Sequence, residues 1–382
     1  MCTFVEEKNV KTTMKKLAFI ALATCAFIAC SDGKKTTPET PKYHPSDSAA
    51  TEATVALYNN LFDLATKGAL LGHQDDLAYG IGWVDDGTYR SDVEMVTGDH
   101  PALFGWDLGM LEMEADANLD GVPFEGMRRN AVWAAGKGGV NTFSWHGRNP
   151  LTGGDSWDVS SDKVVWSILN DPTTAEKYRH WLDIMADFFL SLRDNEGELI
   201  PIIFRPYHEL SGNWFWWCRS QCSRDEYVAL WRYTIDYLRD KGVHNMIVAY
   251  SMAGYTTVEE FEDSYPGDDY VDIVGFDIYH YSTPDYFIAD MTKRADIARA
   301  FAEEHGKLWA VCETGYETIP DDDWFTSVLM PGIEGKGCSH ILLWRNAYER
   351  PNHFYASYPG HSSADDMKRL AEREDIITLS EM

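Results

Sequence analysis

Ile200-Pro-Ile-Ile-Phe-Arg205-Pro-Tyr-His208-Glu209 is a short apolar run that stops at a cluster of charged and ring-bearing residues. Such a run reads as a buried strand whose end reaches a polar mouth. The same pattern recurs at residues 69–73, 102–107, 140–146, 246–250, 273–277, 308–313 and 341–344. Between the runs lie stretches with apolar residues near 3.6 periodicity, as at 173–194, 224–241 and 286–304, which predict helices. Strand alternating with helix predicts an α/β protein with a parallel sheet. Eight such units suit a closed (β/α)8 TIM barrel better than an open sheet, although pattern alone leaves a doubly wound fold as the alternative.

Polar and aromatic residues gather at the C-terminal ends of these runs: His73, Asp107, His146, Arg205 with His208 and Glu209, Asp277 with Tyr279, Glu313, and Trp344 with Arg345. In a barrel those ends converge on one face, where active sites are built. Polar strand ends are common singly; seven converging on one mouth predict a functional site.

The N-terminus reads differently. Lys15 and Lys16 precede an apolar run from Leu17 that ends at Ala29-Cys30. The run is too short to span a membrane and has the length of a signal peptide core. It resembles a bacterial lipoprotein signal, in which Cys30 would carry the lipid. Residues 31–48, with Lys-Lys-Thr-Thr-Pro-Glu-Thr-Pro-Lys and no apolar periodicity, read as a solvated tether. The domains expected are therefore a signal segment at 1–30, the tether at 31–48 and one catalytic domain at 49–382. This places the protein in the cell envelope, on the periplasmic face or the cell surface, touching membrane only through its anchor, and a monomer is expected.

The 382 residues carry a formal charge of −28; removing Met1 to Ala29 takes away four Lys and two Glu and leaves −30. Such a surface repels phosphate backbones, so nucleic acid is excluded as a partner, while a neutral polymer meets no such repulsion. Four cysteines remain beyond Cys30, and none has zinc-finger spacing. A bridge between Cys218 and Cys222 is geometrically conceivable in an exported protein, and Cys312, inside an apolar run, reads as an inert buried thiol.

Glu209 and Glu313, at the ends of the fourth and seventh runs, are the natural chemical pair. Cleaving a glycosidic bond needs one carboxylic acid to protonate the leaving oxygen and a second carboxylate to attack or to activate water. Strands four and seven lie across a barrel mouth, so the two groups would flank a sugar ring. Other chemistries lack their residues. His208-Glu209 begins like a zinc-protease helix, but Gly212 stands where the second histidine belongs, so no metal site is expected. Neither a phosphate-binding Gly-Lys-Ser/Thr loop nor a Gly-x-Ser-x-Gly elbow occurs. No cofactor is implied.

Arg205-Pro-Tyr-His208-Glu209-Leu-Ser-Gly212-Asn-Trp214-Phe-Trp216-Trp217 resembles the strand-four signature of glycoside hydrolase family 26. The likeness runs along the chain through Gly72-His73-Gln74, Ser144-Trp-His146, Gly275-Phe-Asp277-Ile-Tyr279, Glu313 and Trp344-Arg345. Cys218 departs from it, standing where glycine is expected, which bears on the local loop. The resemblance implies a retaining enzyme with Glu209 as acid/base and Glu313 as nucleophile. It implies that Tyr279 bonds Glu313, that Arg205 adds positive potential there, and that His208 contacts the sugar or braces Glu209. Trp214 and Trp344 would wall the scissile sugar, and His146, Asp277 and Arg345 would hold its non-reducing neighbour. The substrate implied is β-1,4-mannan, glucomannan or galactomannan; the runners-up are β-1,3-xylan or mixed-linkage β-glucan, and, in another class, a non-catalytic glycan-binding lipoprotein. The long acidic segment 108–124 would decide whether the cleft is walled, with mannobiose as the early product, or open.

Overall fold

A computed structural model describes residues 42–382. Eight parallel strands form the barrel: β1 (Ala69–Gln74), β2 (Leu103–Asp107), β3 (Val140–Ser144), β4 (Ile202–Arg205), β5 (Met246–Met252), β6 (Ile273–Tyr279), β7 (Leu308–Gly315) and β8 (His340–Leu343). Each pairs with its neighbour in chain order. Pairing of β8 with β1, in register from Leu70 opposite His340 to His73 opposite Leu343, closes the ring. The eight strands read from the sequence are these eight, and closure excludes the doubly wound alternative.

Both faces of the strands are buried, so successive side chains enter two different cores. Ile203, Ile247, Ala249, Ile273, Ala310 and Leu342 fill the barrel interior. Ile202, Phe204, Val248, Val274, Phe276 and Val311 point outward into the layer beneath the helices. The interior is tight: a Cβ on Gly275 would stand 2.5 Å from the Ala310 carbonyl oxygen and 2.6 Å from Cys312 Sγ, so only glycine fits.

The helices expected at 173–194, 224–241 and 286–304 span Pro172–Ser191, Arg224–Asp240 and Pro284–His305. Local chemistry sets their starts. Asp171 and Thr283 each cap a helix whose first residue is proline, and Ser223 with Glu226 forms a capping box. Helix Glu52–Ala65 closes the bottom of the barrel, packing Tyr58 and Leu61 into the interior cluster.

The expected signal segment and Cys30 lie outside the described residues. The last part of the expected tether, 42–48, is bound to the barrel. Tyr43 stacks on Phe62 with centroids 3.6 Å apart, Ser46 Oγ donates to Asp272 at 3.1 Å, and His244 Nδ1 pairs with Asp47 at 2.8 Å. Polar composition suggested solvent there, but Ser46 and Asp47 are spent on partners 226 and 197 residues away. Among the described residues no helix is long and apolar enough to cross a membrane. Cys218, Cys222, Cys312 and Cys338 are all free and buried. Cys218 Sγ faces the Glu209 carbonyl and Cys222 Sγ that of Trp217, so the two thiols point to different partners.

Candidate active site

A cleft of about 820 Å³ opens at the C-terminal ends of the strands, with Glu209, Asp277 and Glu313 in its wall. Each of these three carboxylates has an oxygen within 4.8 Å of the others. Three such groups resemble a cation site, and the cation is Arg205. Its guanidinium donates to Asp277 Oδ2 at 3.0 Å and to Glu313 Oε1, with 2% of the residue exposed. A planar fork bridging two carboxylates holds both in a fixed orientation. Ser251 Oγ donates to the other oxygen of Asp277 at 2.7 Å. Asp277, in the cleft wall, thus also positions Arg205.

Glu313 reaches the mouth through an irregularity. Along β7, Leu308, Ala310 and Cys312 face the interior while Trp309 and Val311 face the helices, so strict alternation would send Glu313 outward. The register slips by one residue here: Phe276 pairs with Val311 but Asp277 pairs with Glu313, and β8 shows the matching slip between Val311 and Thr314. One extra residue re-aims the next side chain. Glu313 then turns into the cleft, where Tyr279 Oη donates to its Oε2 at 2.8 Å.

Glu209 sits four residues beyond β4 on a turn whose backbone is left-handed at Tyr207 (φ 47°) and at Glu209 itself (φ 57°). Neither is glycine, so neighbouring contacts must hold the turn. Tyr207 Oη bonds Thr234 Oγ1 at 2.6 Å, Tyr227 Oη donates to the Tyr207 carbonyl at 3.0 Å, and the Glu209 N–H donates to the Ser251 carbonyl at 2.9 Å. Trp214 Nε1 donates to Glu209 Oε2 at 2.7 Å. Burial first, and the facing Glu313 carboxylate second, push the Glu209 carboxyl up to about 7. It is therefore about half protonated at neutral pH, as a general acid requires.

The four aromatic residues 214–217 divide. Trp214 is 38% exposed and stands in the cleft wall, whereas Phe215, Trp216 and Trp217 are buried. Trp216 Nε1 is spent on the Gly147 carbonyl and Trp217 Nε1 on that of His208. These rings brace the loop that carries Glu209. Trp344, half-buried after β8, also lines the cleft.

His146 lies in the wall with both nitrogens engaged: Nδ1 with Asp107 Oδ2 at 2.7 Å and Nε2 with His208 Nε2 at 3.2 Å. Burial alone would lower its pKa, but the Asp107 carboxylate outweighs it and the value rises to about 8. His208 behaves oppositely. Burial, then the Arg205 and His146 charges, hold its pKa well below the ordinary value, so neutral His208 accepts the bond from imidazolium His146. His208 is 1% exposed and braces His146 from behind. Arg345 is absent from the cleft lining; its Nη2 pairs with Asp120 at 2.9 Å and Glu349 at 3.0 Å, and its Nη1 donates to Tyr79 Oη at 3.1 Å. It forms a second polar cluster on the β8–β1–β2 side.

The sequence reading missed Trp157, which is 47% exposed and stacks on His146 at 5.3 Å, as well as Tyr281, Tyr286, His353 and Tyr355 in the cleft wall. Trp157 stands in a Gly-, Asp- and Ser-rich loop, where a large ring has little core to fill; that was the available signal.

The model of glycosyl hydrolase family 26 matches residues 46–321. A mannan endo-1,4-beta-mannosidase of Bifidobacterium adolescentis is 31% identical over 97% of this chain, and the chain spans 39% of that protein's length. A GH26 beta-mannanase from Bacteroides ovatus superposes with a TM-score of 0.84 at 45% identity, covering 86% of this chain and 96% of that one. A modular endo-beta-1,4-mannanase from Cellulomonas fimi gives 0.79 at 32% identity, covering 88% and 78%.

Proposed function

We infer that this chain, which belongs to glycosyl hydrolase family 26, is a retaining β-mannanase that cleaves β-1,4-mannosidic bonds in mannan, glucomannan or galactomannan. The observation that carries this reading is the pair Glu209 and Glu313, with carboxylate oxygens within 4.8 Å of each other and unlike surroundings. Retaining enzymes hold their two carboxyl groups about 5–5.5 Å apart, whereas inverting ones leave room for a water. The likeness to named mannanases over most of the chain supports the choice of sugar.

In the proposed reaction a mannosyl unit lies between the two glutamates. Glu313, oriented by Arg205 and Tyr279, attacks the anomeric carbon while Glu209 passes its proton to the departing oxygen. The glycosidic C–O bond breaks and a mannosyl ester of Glu313 forms. That ester carries no charge, so one of the causes raising the Glu209 pKa disappears and Glu209 becomes a base. It takes a proton from water, whose oxygen displaces Glu313, and two inversions leave the β configuration unchanged.

We also propose that mannobiose is the dominant early product. The segment after β2 is tied down, which supports a walled cleft: Asn118 donates to the Asp107 carbonyl at 3.0 Å, and Glu112 accepts from Arg148 N at 2.7 Å and Trp145 Nε1 at 3.2 Å. Attachment through lipid on Cys30 is proposed from the leader pattern alone. A Cys30→Ala variant is then recovered in the soluble fraction without detergent, and one still wholly with membranes refutes the anchor.

Reducing-sugar release from galactomannan, laminarin, xylan and lichenan, with the anomer of the first product followed by NMR, tests the reading. Mannan cleavage with initial β-anomer is expected. Preference for xylan or lichenan, or an initial α-anomer, overturns it, and a ladder of oligosaccharides in the first minutes overturns the mannobiose proposal.

A further inference from the structure

Tyr281 and Tyr286 are the two most exposed large apolar side chains among the described residues, at 81% and 65%, and both line the catalytic cleft. Exposed rings gathered in a groove mark a place where a ligand covers them. They are not loosely held. Tyr281 follows β6 directly, its ring 6.1 Å from Tyr279, which bonds Glu313. Tyr286 sits in the first turn of helix Pro284–His305, which Thr283 caps and Pro284 stiffens. Arg294, held by Asp290 one turn earlier on the same helix, ties it to the barrel through the Ala253 carbonyl.

Position around the ring gives these tyrosines a direction. Glu209 follows β4 and Glu313 ends β7, so the pair divides the mouth into two arcs. The arc of β8, β1, β2 and β3 presents His146 to the cleft, with Arg345, Tyr79 and Asp107 buried behind the wall and Asp120 paired with Arg345. The arc of β5 and β6 presents Tyr281 and Tyr286 instead, and pyranose C–H faces pack on rings.

We propose that Tyr281 and Tyr286 form a stacking platform for the sugars on the leaving-group side of the scissile bond, occupied by β-1,4-linked hexopyranose units. This rests on the mannanase reading above. The platform stabilises the attacked complex through sugars that leave in the first step, so long substrates gain from it and substrates without leaving-group sugars do not.

The test compares wild type, the double variant Tyr281→Ala/Tyr286→Ala and its counterpart Tyr281→Phe/Tyr286→Phe on two substrates. Mannohexaose fills both sides of the cleft. β-Mannobiosyl azide places sugars only on the non-reducing side and a small leaving group on the other. The alanine variant is expected to lose about tenfold in kcat/KM on mannohexaose, from two ring contacts together, with kcat/KM on the azide unchanged. The phenylalanine variant keeps the stacking faces and is expected to stay near wild type on both. An unchanged value on mannohexaose, or an equal loss on both substrates, overturns the platform. A wild-type enzyme inactive on both substrates overturns the mannanase reading, and this inference with it.

Discussion

Replacing Glu313 by glutamine tests whether the two glutamates sense each other as the proposed acid-to-base switch demands. The substitution preserves shape and removes one negative charge facing Glu209. Two unit charges within 4.8 Å interact by about 3 to 4 kcal/mol at an effective dielectric constant of about 20, which sets a ceiling of roughly 2.5 pKa units. The realised effect is smaller, because burial leads the upward push on Glu209 and Arg205 already compensates part of the Glu313 charge. A fall of about one unit, from about 7 toward about 6, is expected in Glu313→Gln. Carboxyl 13C NMR of glutamate-labelled protein reads it directly, with Glu209→Gln identifying the resonance. In the wild type, activity should decline as pH rises through about 7, where Glu209 loses the proton it must donate. A Glu209 pKa unmoved or raised in Glu313→Gln would show that burial alone holds the proton, and the charge-loss account of the switch would fail.

Three further outcomes follow from particular contacts. Glu209→Ala should lose mannan hydrolysis yet retain a burst on an aryl mannobioside with a good leaving group, followed by slow turnover that azide accelerates; equal loss on both substrates with no azide response would show the acid/base is assigned wrongly. Asp107→Asn removes the partner that offsets burial at His146, so its pKa should drop from about 8 to below the ordinary 6.5; imidazole NMR titration checks the sign, and a value still near 8 contradicts the pairing. Gly275→Ala forces a Cβ against the Ala310 carbonyl and should lower stability by about 1–3 kcal/mol, seen as a reduced denaturation midpoint, and an unchanged midpoint would show that the barrel interior yields at this point.

The barrel was legible in the sequence because strands buried on both faces must be short apolar runs and surface helices must be amphipathic, and neither requirement depends on distant residues. Glu209 and Glu313 were visible for a related reason: an acid at the end of an apolar run has to face a polar mouth. Contacts that join distant positions left no such local mark. Nothing near Asp277 announces that Arg205, 72 residues earlier, bonds its carboxylate. The run from Trp214 to Trp217 looks uniform, yet packing exposes Trp214 and buries the other three.

By itself, the sequence determined the eight-fold alternation, the family likeness and the two acids, since each depends on local residue type and order. Only the tertiary structure decided how those acids differ. Period-two alternation along β7 would turn Glu313 toward the helices, and the slipped register with β6 and β8 sends it into the cleft. The left-handed turn at Glu209, held by β5 and the tyrosines behind it, brings the second carboxyl close enough to feel the first. Proximity and burial set charge state, and both belong to the assembled barrel rather than to either residue.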